Sequence, residues 1–107
     1  MSAKYWQRGE TIDYTATEAV SNGDVVDLVT RIGVAGNDIA ANETGAVHVV
    51  GVFEIPKATG EITLGAAVYW DKSAKNITTT SESNTPAGWA VAAAKSADAT
   101  VLVKLLG

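Results

Sequence analysis

A catalytic centre in this chain would have to be assembled from one histidine, twelve carboxylates and no cysteine. His48 stands inside the alternating stretch "AVHVV", on the face opposite Val47 and Val49. It has no second histidine or cysteine with which to share a metal, and no G-x-S-x-G elbow presents a nucleophilic serine. An ordinary strand residue is the reading its position supports. Glycoside hydrolysis needs only two carboxylates flanking a cleft. Here Asp13, Asp24, Asp27, Asp38, Glu43, Glu61 and Asp71 mostly lie beside glycines or in polar turns, where solvated acids are the usual occupants. A nucleotide site of the P-loop kind requires G-x-x-x-x-G-K-[ST], so that backbone amides and a lysine hold the phosphates. The chain contains no Gly-Lys dipeptide and no G-x-G-x-x-G. The expectation is a protein that is not an enzyme and carries neither metal nor cofactor.

The aromatic residues are the remaining means of recognition. Trp6, Trp70 and Trp89 would suit a stacking platform, which makes a carbohydrate-binding β module one reading. They fall in three separate runs, however, and Trp70 and Trp89 belong to strands that should pack, so roles in the core or at a subunit interface are favoured. The first residues combine aromatics with both kinds of basic side chain, Lys4, Tyr5, Trp6, Gln7 and Arg8, and an extended arm of this kind can add a strand to a partner's sheet edge. The alternative for residues 1–15 is an ordinary first strand. With Tyr14 and Trp89, these five residues are the candidate contacts to a partner or to a second copy.

The elements that would position these residues are short. Apolar runs of four to eight residues, "TIDYTA", "DVVDLV", "RIGVA", "AVHVVGVFEI", "AAVYW", "NITTT", "GWAVAAA" and "TVLVKLL", are separated by glycine and by Asn/Asp/Ser/Thr clusters. That pattern predicts an all-β fold, a small barrel or sandwich of short strands. Alternation puts Val47, Val49, Phe53 and Ile55 on one face of a single run, and Val101, Val103 and Leu105 on one face of another. The Ala-rich "AGWAVAAAKSADA" could form a helix on propensity alone. An internal comparison argues against it: Gly33 to Gly51 aligns with Gly88 to Gly107 as glycine, apolar residue, alanine, polar middle, alternating strand and closing glycine. Each copy follows a glycine-led apolar run, "NGDVVDLV" or "LGAAVYWD". Two copies are too few for a solenoid, so they are expected to be two strand-turn-strand halves of one domain spanning 1–107. The stretch from Val52 to Asp71 is then the linker and strand joining the halves, with Pro56 ending one run and Tyr69 and Trp70 packing in the next.

Composition narrows the partners. A formal charge of −4, with its eight basic residues scattered, opposes binding to nucleic-acid backbones, which relies on Lys and Arg displacing counterions. No run reaches the length of a membrane span, and "MSAKYWQRGETIDY" lacks the apolar centre of a signal peptide. Without disulfides or thiolate sites, packing must supply the stability, and a cysteine-free chain suits a reducing cytoplasm.

Taken in order, "YWQRGETIDYTA", "VSNGDVVDL", "GVFEIPKATGEITLGAAVYWD", "NTPAGWAVAAA" and "VLVKLLG" resemble the small capsid cement, or head decoration, proteins of tailed phages and prophages. That family was once filed as a domain of unknown function, and its members are sometimes labelled RecA/RadA recombinases. The label finds no support in a chain without a phosphate-binding loop. The resemblance implies a compact β domain made in the host cytoplasm that assembles as a small homo-oligomer, a trimer, on the exterior of the head, with the major capsid protein as partner. It supplies no catalytic residues. A position in the tail or at the head-tail joint is the related alternative.

Overall fold

A computed structural model describes residues 2–106, and among them there are nine strands and no helix. The strands are β1 (Thr11–Thr15), β2 (Val25–Asp27), β3 (Ile32–Ala35), β4 (Thr44–His48), β5 (Val52–Pro56), β6 (Ala67–Asp71), β7 (Asn76–Thr78), β8 (Thr85–Ala90) and β9 (Thr100–Leu105). They form two antiparallel sheets, one of four strands in the order β1-β4-β3-β2 and one of five in the order β5-β9-β8-β6-β7. The all-β expectation is met, in the form of a small sandwich. The second sheet is also drawn round on itself, because Lys57 bridges Ile77 in parallel and the Ala58 amide donates to the Ile77 carbonyl at 2.8 Å.

The two sheets share one plan. In the first, Val34 faces His48 and Ala35 faces Val47 across β3 and β4; in the second, Trp89 faces Lys104 and Ala90 faces Val103 across β8 and β9. The amides and carbonyls of Val20 and Ile39 exchange hydrogen bonds, as do those of Ile62 and Ala94. Ala35 accepts from the Gly23 amide and donates to the Asp24 carbonyl, while Ala90 accepts from Gly65 and donates to Ala66. The glycine-led halves aligned from sequence are therefore equivalent in structure. Their last matched position, Gly107, lies outside the described residues. The strand β7 is an addition to the second half, turned by the Asp71 carboxylate, which accepts from the amides of Ser73 and Ala74.

Two apolar clusters follow from the two sheets. One gathers Ala16, Val26, Ala35, Ile39, Val47 and Val49, with Ile12, Tyr14, Val20 and Leu28 packed on it. The larger one gathers the inward residues of the second sheet, including Val68, Trp70, Ile77, Val101, Val103 and Leu105, and takes in Ile32 and Val34 from β3. All four residues of β3 are buried, because it sits between the two clusters. The expected inward face of β9 is observed, with Val101, Val103 and Leu105 at most 3% exposed. Each such side chain contributes about 1.5–3 kcal/mol on burial. A polar tie also crosses from one sheet to the other: the Thr85 hydroxyl on β8 donates to both carboxylate oxygens of Asp27 on β2, at 3.0 and 3.1 Å.

Two features differ from the sequence reading. The run from Ala46 to Ile55 is two strands of different sheets, broken at Val49–Gly51, where Gly51 takes a φ of +128° and its carbonyl accepts from the Leu105 amide. Alternation continued through the break, so Val47, Val49 and Ile55 are all buried, but in different clusters, and Phe53 is partly buried. The link between the halves is thus this three-residue step, and Val52 to Asp71 belongs entirely to the second half. Pro56 does end β5, and Trp70 does pack in the core.

Candidate interaction surface

Residues 2–10 carry no regular structure, and all of residues 2–8 are exposed. Tyr5 and Trp6 are 79% and 85% accessible, an unusual state for two adjacent large aromatics. Lys4, Gln7 and Arg8 are exposed beside them. The Gln7 side-chain amide donates to the Thr11 carbonyl at 3.0 Å and Arg8 pairs with Glu10 at 3.2 Å, so these contacts stay within residues 7–11. The radius of gyration, 14.5 Å, exceeds the roughly 13 Å of a compact chain of this length.

The other candidate residues lie elsewhere. Tyr14, on β1, is partly buried against the smaller cluster. Trp89, on β8, faces out of the second sheet and is 42% exposed. Cross-strand register places it in a row, Ala67–Trp89–Lys104–Val52, running over β6, β8, β9 and β5. The next row adds Leu102 opposite Glu54, with Val91 donating its amide to the Leu102 carbonyl. Val52 and Leu102 are 51% and 41% exposed. These two and Lys104 were not among the sequence candidates, although the alternation that placed Val101, Val103 and Leu105 inward sends Leu102 and Lys104 outward.

Of the carboxylates considered for catalysis, Asp13, Glu43 and Glu61 are exposed and four others hold turns of the fold. Asp24 accepts from the Ser21 amide, Asp38 from Asn22, Asp27 from Val29, and Asp71 from its own turn. His48 is partly buried, its ring 5.9 Å from that of Phe53. Lys57, which sequence reasoning did not single out, is 8% exposed, and its ammonium donates to the carbonyls of Lys95 and Ser96 at 3.1 and 3.2 Å. It thereby closes the turn before β9. A cavity of about 320 Å³ lies where β5 crosses the first sheet, between Val25, Val34 and His48 on one side and Phe53 to Pro56 on the other. Among the described residues no group of three or more acidic, histidine or cysteine side chains is arranged to hold a metal.

Fold and surface together define a small β module whose distinctive features are an exposed aromatic segment and an exposed sheet face. A family model described as phage cement protein matches residues 6–105, nearly the whole chain, and the chain belongs to that family. It is accordingly a phage structural protein associated with the capsid. No curated protein and no solved structure matches it.

Proposed function

We propose that this protein binds the exterior of an assembled phage or prophage head, with the major capsid protein as its partner, and stabilises the mature shell without catalysing a reaction. The observation that carries the reading is the family match over residues 6–105. The exposed Lys4, Tyr5, Trp6, Gln7 and Arg8 support it, because an extended segment with free backbone groups can add a strand to a capsid edge.

The mechanism is linkage. A ligand that binds the assembled lattice and not its dissociated subunits stabilises the lattice by mass action. Repeated symmetric attachment, here by a homotrimer made in the host cytoplasm, adds avidity to weak single contacts. Cement-depleted heads incubated with the protein should recruit it, and immunolabelling should find it over the head surface. Labelling confined to the tail or to the head-tail joint contradicts the reading.

A further inference from the structure

Natural sheets cover, shorten or charge their outer strands, because unpaired amides and carbonyls recruit further strands. In the second sheet the edge strands β5 and β7 meet, where Lys57 bridges Ile77. In the first, the edge strand β2 has only three residues, and its Asp27 is tied to Thr85 of the other sheet. At the opposite edge β1 has five residues, no proline and no bulge in its pairing with β4. Hydrogen-bond parity fixes which way its backbone points. The Val49 amide donates to the Glu10 carbonyl and the Ala16 amide to the Glu43 carbonyl, both at 3.0 Å. Residues two apart in an antiparallel strand share a direction, so residues 10, 12, 14 and 16 bond towards β4. The backbone groups of Thr11, Asp13 and Thr15 therefore point to the open side. Ala46, opposite Asp13, agrees with this: its amide donates to Asn37 Oδ1 and its carbonyl accepts from the Gly36 amide, both away from β1. Among the described residues the one bond made on the open side runs from the Gln7 side-chain amide to the Thr11 carbonyl.

We propose that the open edge of β1 accepts an extended strand of the capsid surface, one that alternates apolar and polar residues and carries a lysine or arginine beside Asp13. This rests on the capsid function proposed above and names the surface that performs it. The side chains of β1 define the pattern. Ile12 and Tyr14 turn towards the smaller cluster and are only partly buried, so apolar residues on one face of an added strand would extend that cluster past them. Asp13 and Thr15 are exposed on the other face, where the Thr15 hydroxyl pairs with that of Thr44 at 2.8 Å. Charge selects between occupants. A second copy pairing antiparallel over the whole of β1 would set Asp13 against Asp13, and like charges directly opposite oppose pairing. The chain's own exposed segment does not fit either, since Tyr5 and Trp6 are adjacent and would fall on opposite faces of an added strand. A partner strand with a cation at the facing position gains from the same carboxylate that rejects a second copy.

The test uses Asp13→Pro in the full chain. Proline there removes an amide that makes no bond within the sheet, so the fold is retained, as circular dichroism would check, while an added strand loses its central donor. Cement-depleted heads should bind this variant at least about tenfold more weakly than the unaltered protein. Asp13→Lys should also bind more weakly, and its deficit should shrink in high salt, whereas that of Asp13→Pro should not. Hydrogen exchange of the unaltered protein gives a readout that needs no variant. On binding heads, the amides of Thr11, Asp13 and Thr15 should slow, those of Ile12 and Tyr14 being protected already in the free protein. Equal binding by Asp13→Pro, or unchanged exchange over residues 11–15 in head-bound protein, overturns the inference and leaves the capsid function standing. A multiple-chain mass of the free protein that falls on Asp13→Pro would give the edge to a second copy and overturn it as well. Heads that recruit none of the unaltered protein refute the capsid function itself.

Discussion

Gly88 sets how closely β8 approaches β9, and with it the placing of Trp89 on the outer face. Its φ is +147°, and a Cβ built there would overlap the Lys104 carbonyl oxygen on the neighbouring strand. Gly60 provides a matched control: its φ is +130°, yet a Cβ there would meet nothing within 4 Å. Alanine at either position incurs the cost of a backbone conformation that L side chains rarely adopt, about 1–2 kcal/mol. At Gly88 the strands must also separate, disturbing hydrogen bonds and the packing of Val103 and Leu105, which brings the total to about 3–5 kcal/mol. With an unfolding entropy near 0.22 kcal/mol/K for this chain length, Gly60→Ala should lower Tm by about 7 °C and Gly88→Ala by about 18 °C. Thermal and urea unfolding followed by circular dichroism read both values. Losses equal within about 0.5 kcal/mol would refute the argument that close strand approach, beyond backbone conformation, requires glycine at position 88.

Other consequences are open to simpler checks. Thr85→Val keeps the shape of a buried residue but removes the donor to Asp27, and should cost about 1–2 kcal/mol in urea unfolding, whereas Thr85→Ser should retain most of the stability. Lys57→Met leaves the Lys95 and Ser96 carbonyls without their ammonium, and should destabilise by about 1–3 kcal/mol on the same measurement. Calorimetry with ATP and magnesium should show no saturable heat even at about millimolar nucleotide, because the sequence has no Gly-Lys loop to hold a phosphate; saturation would reinstate the recombinase label. Titration with soluble glycans should leave tryptophan fluorescence unchanged, and a saturating response would favour a carbohydrate-binding module instead.

The sequence was most readable where one physical rule acted alone. Alternation in "TVLVKLL" placed Val101, Val103 and Leu105 inward because β9 is covered on one face along its length. The repeat was readable because equivalent glycines and alanines sit where strands approach or turn, and this overrode the helical propensity of the Ala-rich segment after Trp89. Alternation could not reveal the break at Gly51, since a change of sheet that preserves inward and outward parity leaves no mark on the pattern. Lys57 was invisible for a different reason: its partners are backbone carbonyls of residues 95 and 96, which no side-chain motif records. The exposure of Trp89 also depended on tertiary context. Its equivalent, Val34, has the same outward parity and is 7% exposed, because it packs into the larger cluster with the inward residues of the second sheet.

The central claim is that this chain stabilises an assembled head from outside. Its most direct measurement is the melting temperature of cement-depleted heads, followed by release of packaged DNA, with increasing amounts of the purified protein. The account predicts a saturable rise in melting temperature that tracks the protein bound per head, and no effect on dissociated capsid subunits. A melting temperature that stays constant while the protein saturates its sites, or heads that bind none of it, would contradict the account.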